Sequence, residues 1–158
     1  MEKITMSDYI YALSDKEYLS TFITGHLGAE FIIDKLILTK ISDDSIYDKL
    51  RLRFEQKILL LKGFNLISDE ELSLLKEINK IRNSFSHRLE FEIDFDKAFE
   101  LVQLAHKAGI DFSDNTIWSD KELSETWYDI DGVVNEVIAN INTHMANKYQ
   151  DIGGEVYW

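Results

Sequence analysis

The sequence predicts an all-α fold, an antiparallel bundle of four or five helices. Three observations point there. The 158-residue chain has no proline, where average usage would give roughly eight. Helix interiors reject proline because it lacks the N–H and clashes with the preceding turn. Apolar residues recur at three- and four-residue steps along most of the chain, the period of an amphipathic helix. Polar residues able to cap a helix stand where several of these stretches begin. Long helices with short connections pack antiparallel around a shared core, and the length is that of one ordinary domain, 1–158.

Ser14 opens a first helix over about residues 15–40, with Leu19, Phe22, Ala29, Ile33, Leu36 and Ile37 on its apolar side. Gly25 and Gly28 on it suit close approach of a second helix. After the polar break Ser42 to Ser45, a second long helix carries Tyr47, Leu50, Phe54, Ile58 and Leu61, and Gly63 marks its end. Ser68 opens a third with a capping box, in which its hydroxyl meets the Glu71 amide and Glu71 reaches back to the Ser68 amide. That helix runs through Leu74, Ile78, Ile81 and Phe85. Leu89 to Phe95 alternates and reads as extended. Asp94 caps a fourth helix that runs to Gly109. Residues 111–131 form an acidic, aromatic connector with a short helix around Lys121 to Tyr128, and Trp118 and Trp127 dock on the bundle rather than serve a partner. A last helix carries Val134, Val137, Ile138, Ile141 and Tyr149, and 153–158 is a tail.

Composition excludes several function classes. There are 29 acidic and 17 basic side chains, for a net charge of −12, which argues against a protein that coats nucleic acid or an anionic membrane. Without cysteine there is no disulfide framework, Cys-zinc site, Fe–S cluster or thiol catalysis. The N-terminus lacks the basic-then-apolar pattern of a secretory signal, and no apolar run approaches the roughly 20 residues that span a bilayer. The expectation is a soluble cytoplasmic protein with no membrane contact.

One segment carries chemistry: Ile81-Arg82-Asn83-Ser84-Phe85-Ser86-His87, at the end of the third long helix. With Ile81 set at zero and about 100° per residue, Leu74, Ile78 and Phe85 cluster within about 60° of it. Lys76, Lys80, Asn83 and His87 fall on the opposite side, between about 200° and 260°, with Arg82 and Ser86 flanking at about 100° and 140°. His87 is thus presented away from the core, with Arg82 one flexible side chain from the same spot. An imidazole can take and give a proton at neutral pH, and a guanidinium stabilises charge growing on phosphate oxygens. RNA brings its own nucleophile, the 2′-OH, so this pair needs no metal. By spacing alone, a surface His four residues from an Asn is ordinarily just solvated.

That run resembles the signature of the HEPN superfamily, an Arg followed four to six residues later by His, often with a polar residue directly after the Arg. Here the three are Arg82, His87 and Asn83. From about Gly25 to Val102, the order of elements is similar to the mannitol-operon repressor (MltR-like) branch: the Gly25-to-Leu38 helix, the Phe54-to-Phe64 helix ending in Gly-Phe, and the motif helix followed by Phe91 to Phe95. The resemblance implies an all-α bundle that dimerises through its motif helices, and in many members a metal-independent endoribonuclease acting as a toxin or phage-defence effector. It implies Arg82 on the scissile phosphate, His87 as general acid or base, Asn83 orienting either, and Lys76, Lys80, Ser86 and Arg88 binding RNA. No cofactor is implied. The partners implied are a second copy, an RNA substrate, and an antitoxin or regulatory protein. Toxins of the HepT type carry a Tyr two positions after the His as a target of nucleotide addition, and Leu89 stands there. The MltR-like branch implies an alternative, a non-catalytic transcriptional regulator or interaction module.

Other candidates fall short. His26 with Glu30 one turn on is too small a ligand set for a metal, so His26 reads as a hydrogen-bonded core residue. No Glu-x-x-His pair of a di-iron bundle exists. Asp129-Ile130-Asp131-Gly132 matches part of a calcium loop, but the frame puts Trp127 first and Ile138 at the bidentate position. His106 and His144 have no informative neighbours. Net charge also hides a local contrast: residues 49–88 hold nine basic and five acidic side chains, a local +4 in a chain whose remainder is −16.

Overall fold

The computed structural model describes residues 17–87 and 91–156. Every regular element among them is helical: α1 (Glu17–Leu38), α2 (Asp44–Leu50), α3 (Phe54–Gly63), α4 (Asp69–His87), α5 (Phe95–Lys107), α6 (Thr116–Ser119) and α7 (Lys121–Asp151). The five longer helices share one hydrophobic core. Helix α1 lies along α7 and also touches α3 and α4, while α5 bridges α4 and α7. None of the described helices is long and apolar enough to cross a membrane.

The helix starts follow the polar caps. The Asp94 carboxylate accepts from the Lys97 amide at 2.8 Å. The Ser68–Glu71 box closes in both directions, at 3.0 Å and 2.6 Å. Ser14 lies outside the described residues. At the start of α1, Asp131 Oδ1 accepts from the Tyr18 amide at 2.8 Å. Helix α1 buries Tyr18, Phe22, His26, Ala29, Ile33, Leu36 and Ile37. Its Gly25 is where α7 comes closest: a Cβ there would overlap the Ile138 side chain, and Asn142 Nδ2 donates to the Gly25 carbonyl at 3.2 Å.

The expected second long helix is two helices. Arg51 turns left-handed at φ 47° and ends α2, and α3 restarts with the Arg53 amide donating to Gln56 Oε1 at 2.8 Å. Leu50, expected on the apolar face, is consequently exposed. At the far end of α3 the left-handed residue is Asn65 (φ 57°) rather than Gly63. Leu66 N–H bonds the Leu61 carbonyl and Asn65 N–H that of Lys62, the paired bonds of a Schellman end. Gly109 (φ 82°) closes α5 in the same way.

The acidic connector is more ordered than a loop with one helix. The α6 turn is held by Asp114, which accepts from the Thr116 amide at 2.9 Å and the Tyr128 hydroxyl at 2.6 Å. Helix α7 kinks at Asp129 (φ 53°, ψ −169°). Asp129 then caps the second half through the Gly132 amide at 3.0 Å. Thus the short helix expected at Lys121 to Tyr128 is the first limb of α7. Trp118 docks, stacked on His106 with ring centroids 3.6 Å apart. Trp127 does not dock, and 61% of it is exposed. The extended reading of Leu89 to Phe95 lies partly outside the described residues; Phe91 to Asp94 carry no regular element.

Candidate functional site

Helix α4 buries Leu74, Leu75, Ile78 and Ile81, which rolls its other face outward. Lys76, Lys80, Ser86 and His87 are exposed, and Asn79, Arg82 and Asn83 half-buried. The last turn is anchored by Phe85, whose ring lies 6.0 Å from Tyr18, 5.7 Å from Phe22 and 5.0 Å from Phe91. That cluster fixes the backbone that presents His87.

Arg82, Asn83 and His87 line one cleft of about 410 Å³ between α4, α1 and the start of α3. Arg82 Nη1 donates to Asn83 Oδ1 at 3.0 Å, so the guanidinium is held by the residue beside it with its remaining N–H groups uncommitted to Asn83. The expected stripe continues over the outer edge of α4. Lys76, Lys80, Asn83 and His87 line a shallower depression of about 670 Å³. Asn79, Asn83, His87 and Glu55 border both spaces, which makes them one groove across the end of the helix. Ser86 borders neither, and its hydroxyl bonds back to the Arg82 carbonyl at 3.2 Å. Ser84 borders the outer depression instead. Arg88 lies outside the described residues.

Motif spacing did not single out Asn79, Arg53, Phe54 or Glu55 at the cleft. Asn79 sits one turn before Asn83, at about 160° and just beside the stripe, and could have been found from that register. Arg53 comes from the α2–α3 break, a tertiary juxtaposition with no local signal. The floor of the cleft is His26, 2% exposed. Its Nε2 lies 3.3 Å from Asn79 Oδ1 and its ring packs on Phe54 at 4.2 Å, while Nδ1 has no protein partner. Burial pushes its pKa down, opposed by the Asn79 hydrogen bond and reinforced by the nearby Arg82 charge. A neutral ring with Nε2–H donating to Asn79 follows. His26 is therefore a core residue that orients Asn79, as its place on the apolar stripe predicts.

Charge in the groove is sorted by pairing. Lys57 is held by Glu30 and Asp34, each at 2.8 Å, so Glu30 neutralises a lysine and does not join His26. Lys62 pairs with Asp69 and Lys97 with Glu77. Arg53, Arg82, Lys76 and Lys80 remain to set the potential, offset by Glu55, which borders both spaces, and by Glu77, 3.9 Å from Lys80. Among the described residues no group of three or more His, Asp or Glu side chains could hold a metal ion. The arrangement suits an anionic, phosphate-bearing chain: four cations and two amides around one exposed imidazole. No family model, curated protein or solved structure matches this chain.

Proposed function

We propose that the chain is a HEPN-type endoribonuclease that needs no metal and serves as a toxin or phage-defence effector under the control of an antitoxin or regulatory protein. The observation that carries the reading is the convergence of Arg82, Asn83 and His87 on one cleft, with Lys76 and Lys80 leading into it. In the reaction, the RNA 2′-OH attacks the adjacent phosphorus and the P–O5′ bond breaks. The 2′-OH gives up its proton and the departing 5′ oxygen gains one, leaving a 2′,3′-cyclic phosphate and a 5′-OH. Arg82, held by Asn83, stabilises the charge on the non-bridging oxygens. The groove holds one exposed imidazole, His87, whereas the reaction needs both a proton acceptor and a donor. A second copy supplies the other, which makes the site composite in a homodimer.

The test is RNA cleavage by purified protein in EDTA. Wild type is expected to release cyclic-phosphate ends. His87→Ala and Arg82→Ala should each lose about 10²- to 10⁴-fold in rate, the usual weight of a general acid–base or charge-stabilising group. Equal cleavage by wild type and variants would sink the assignment, and no cleavage at all would favour the regulator reading.

A further inference from the structure

Helix α1 leaves an apolar ladder open on the side away from α7 and the core. Ile23 is 43% exposed, Leu27 57% and Phe31 64%. At steps of four residues these three form one stripe, since four residues advance a helix by nearly a full turn. Lys35 extends the stripe, its ammonium 5.4 Å from the Phe31 ring centre. Glu17 stands at the other end, nearly three turns before Leu27 and on the same flank as Lys35.

We propose that this stripe is the seam of an antiparallel α1–α1 pair between two copies of the chain. The stripe is self-complementary about Leu27. A two-fold axis there sets Leu27 against its own copy and Phe31 of each copy against Ile23 of the other. The same axis keeps each flank on its own side, so Lys35 of one copy meets Glu17 of the other, twice. Asp34, one turn beyond Phe31, accepts hydrogen bonds from Tyr47 and Lys57, the latter shared with Glu30. The net charge of −12 would repel two copies at most faces, whereas this one offers apolar surface with opposite charges at its ends. His26 and Glu30 line the RNA cleft from one flank of α1, so the pairing also places both clefts on the same side of the seam. The pairing itself does not depend on what chemistry the clefts perform.

The absence of cysteine gives a direct test. Helices packed 8–10 Å apart bring facing Cα atoms to about 3.5–5.5 Å, which at the wider spacing is the span of a disulfide. Leu27→Cys should therefore cross-link rapidly to its own copy under mild oxidation, while Ala139→Cys, exposed on α7, should not. In sedimentation velocity, wild type should form a concentration-dependent dimer. Leu27→Glu and Phe31→Glu should each weaken it by about tenfold or more, as expected for residues at the centre of an interface. Lys35→Glu should weaken it too, and Glu17→Lys added to Lys35→Glu should restore it. A monomer at every concentration, or a dimer indifferent to Leu27→Glu and not cross-linked through position 27, overturns the proposal. A dimer indifferent to Leu27→Glu overturns the seam and leaves the composite site standing, whereas a monomer at every concentration removes both; His87-dependent cleavage is read separately, so failure of the seam and failure of the nuclease reading are told apart.

Discussion

The carboxylate of Glu71 is almost wholly buried, 4% exposed, yet it is surrounded by donors. His144 Nε2 lies 2.5 Å from Oε1, Lys148 Nζ 2.9 Å from the same oxygen, and the Ser68 amide donates to Oε2 at 2.6 Å. Burial alone would raise its pKa, but the hydrogen bonds from His144, Lys148 and Ser68 outweigh burial and bring it down to about 2. The sign of the linkage follows. A depressed folded pKa stabilises the fold above the unfolded value and loses that stabilisation as pH falls through the folded one. A drop of this size corresponds to roughly 3 kcal/mol. Urea midpoints should therefore decline as pH falls from the ordinary carboxylate range toward 2. Glu71→Gln, which keeps a side chain able to cap, should be about 3 kcal/mol less stable at neutral pH and show a flatter acid limb. An unchanged acid limb in that variant would show that other carboxylates control acid unfolding. The Ser68–Glu71 box was legible as a four-residue pattern. The tie to His144 was not, because it joins residues 73 apart in the chain, and nothing local to His144 announces it.

Helices α1 and α7 meet where Gly25 lets Ile138 pack against the α1 backbone. An added methyl has no space there, and overpacking of a close helix crossing costs about 1–3 kcal/mol. Gly25→Ala should lower the unfolding free energy by that amount, read from the shift in denaturation midpoint. Ile138→Ala in the same chain should relieve part of the cost, so the double variant should be more stable than the two single losses added together. Strict additivity would show that Gly25 acts through backbone freedom instead of close packing. The existence of the helices was written in the sequence wherever a cap or a period was local, as at Ser68 and Asp94. The α2–α3 break was not. Tyr47, Leu50, Phe54, Ile58 and Leu61 keep helical spacing across it, and the residue that turns left-handed is Arg51 rather than a glycine. The break at Asp129 was legible, since the short helix read over Lys121 to Tyr128 stops just before it, and the side-chain cap on Gly132 then starts the second limb.

Across the whole molecule the acidic excess and the basic groove are kept apart by pairing. Lys57, Lys62, Lys97 and Lys121 are each bound to carboxylates from another helix, and the first two fall within residues 49–88, so fewer than the nine basic side chains counted there are available. The motif stripe itself was legible because helical geometry alone decides which side chains share a face. Arg53 and His26 were not, since only the fold brings them to it. If the groove binds RNA, its salt dependence counts the cations that touch phosphate, with a slope of about −0.7 per contact on a single strand. Arg53, Lys76, Lys80 and Arg82 give an expected slope near −3 by that rule. The measurement is anisotropy of a labelled single-stranded RNA on the non-cleaving His87→Ala protein, across a salt series. Lys76→Ala and Lys80→Ala should each weaken binding and reduce the slope by about 0.7. Lys62→Ala, already neutralised by Asp69, should leave both unchanged. Equal loss from all three would mean that RNA feels only the overall charge of the molecule and no groove at the end of α4.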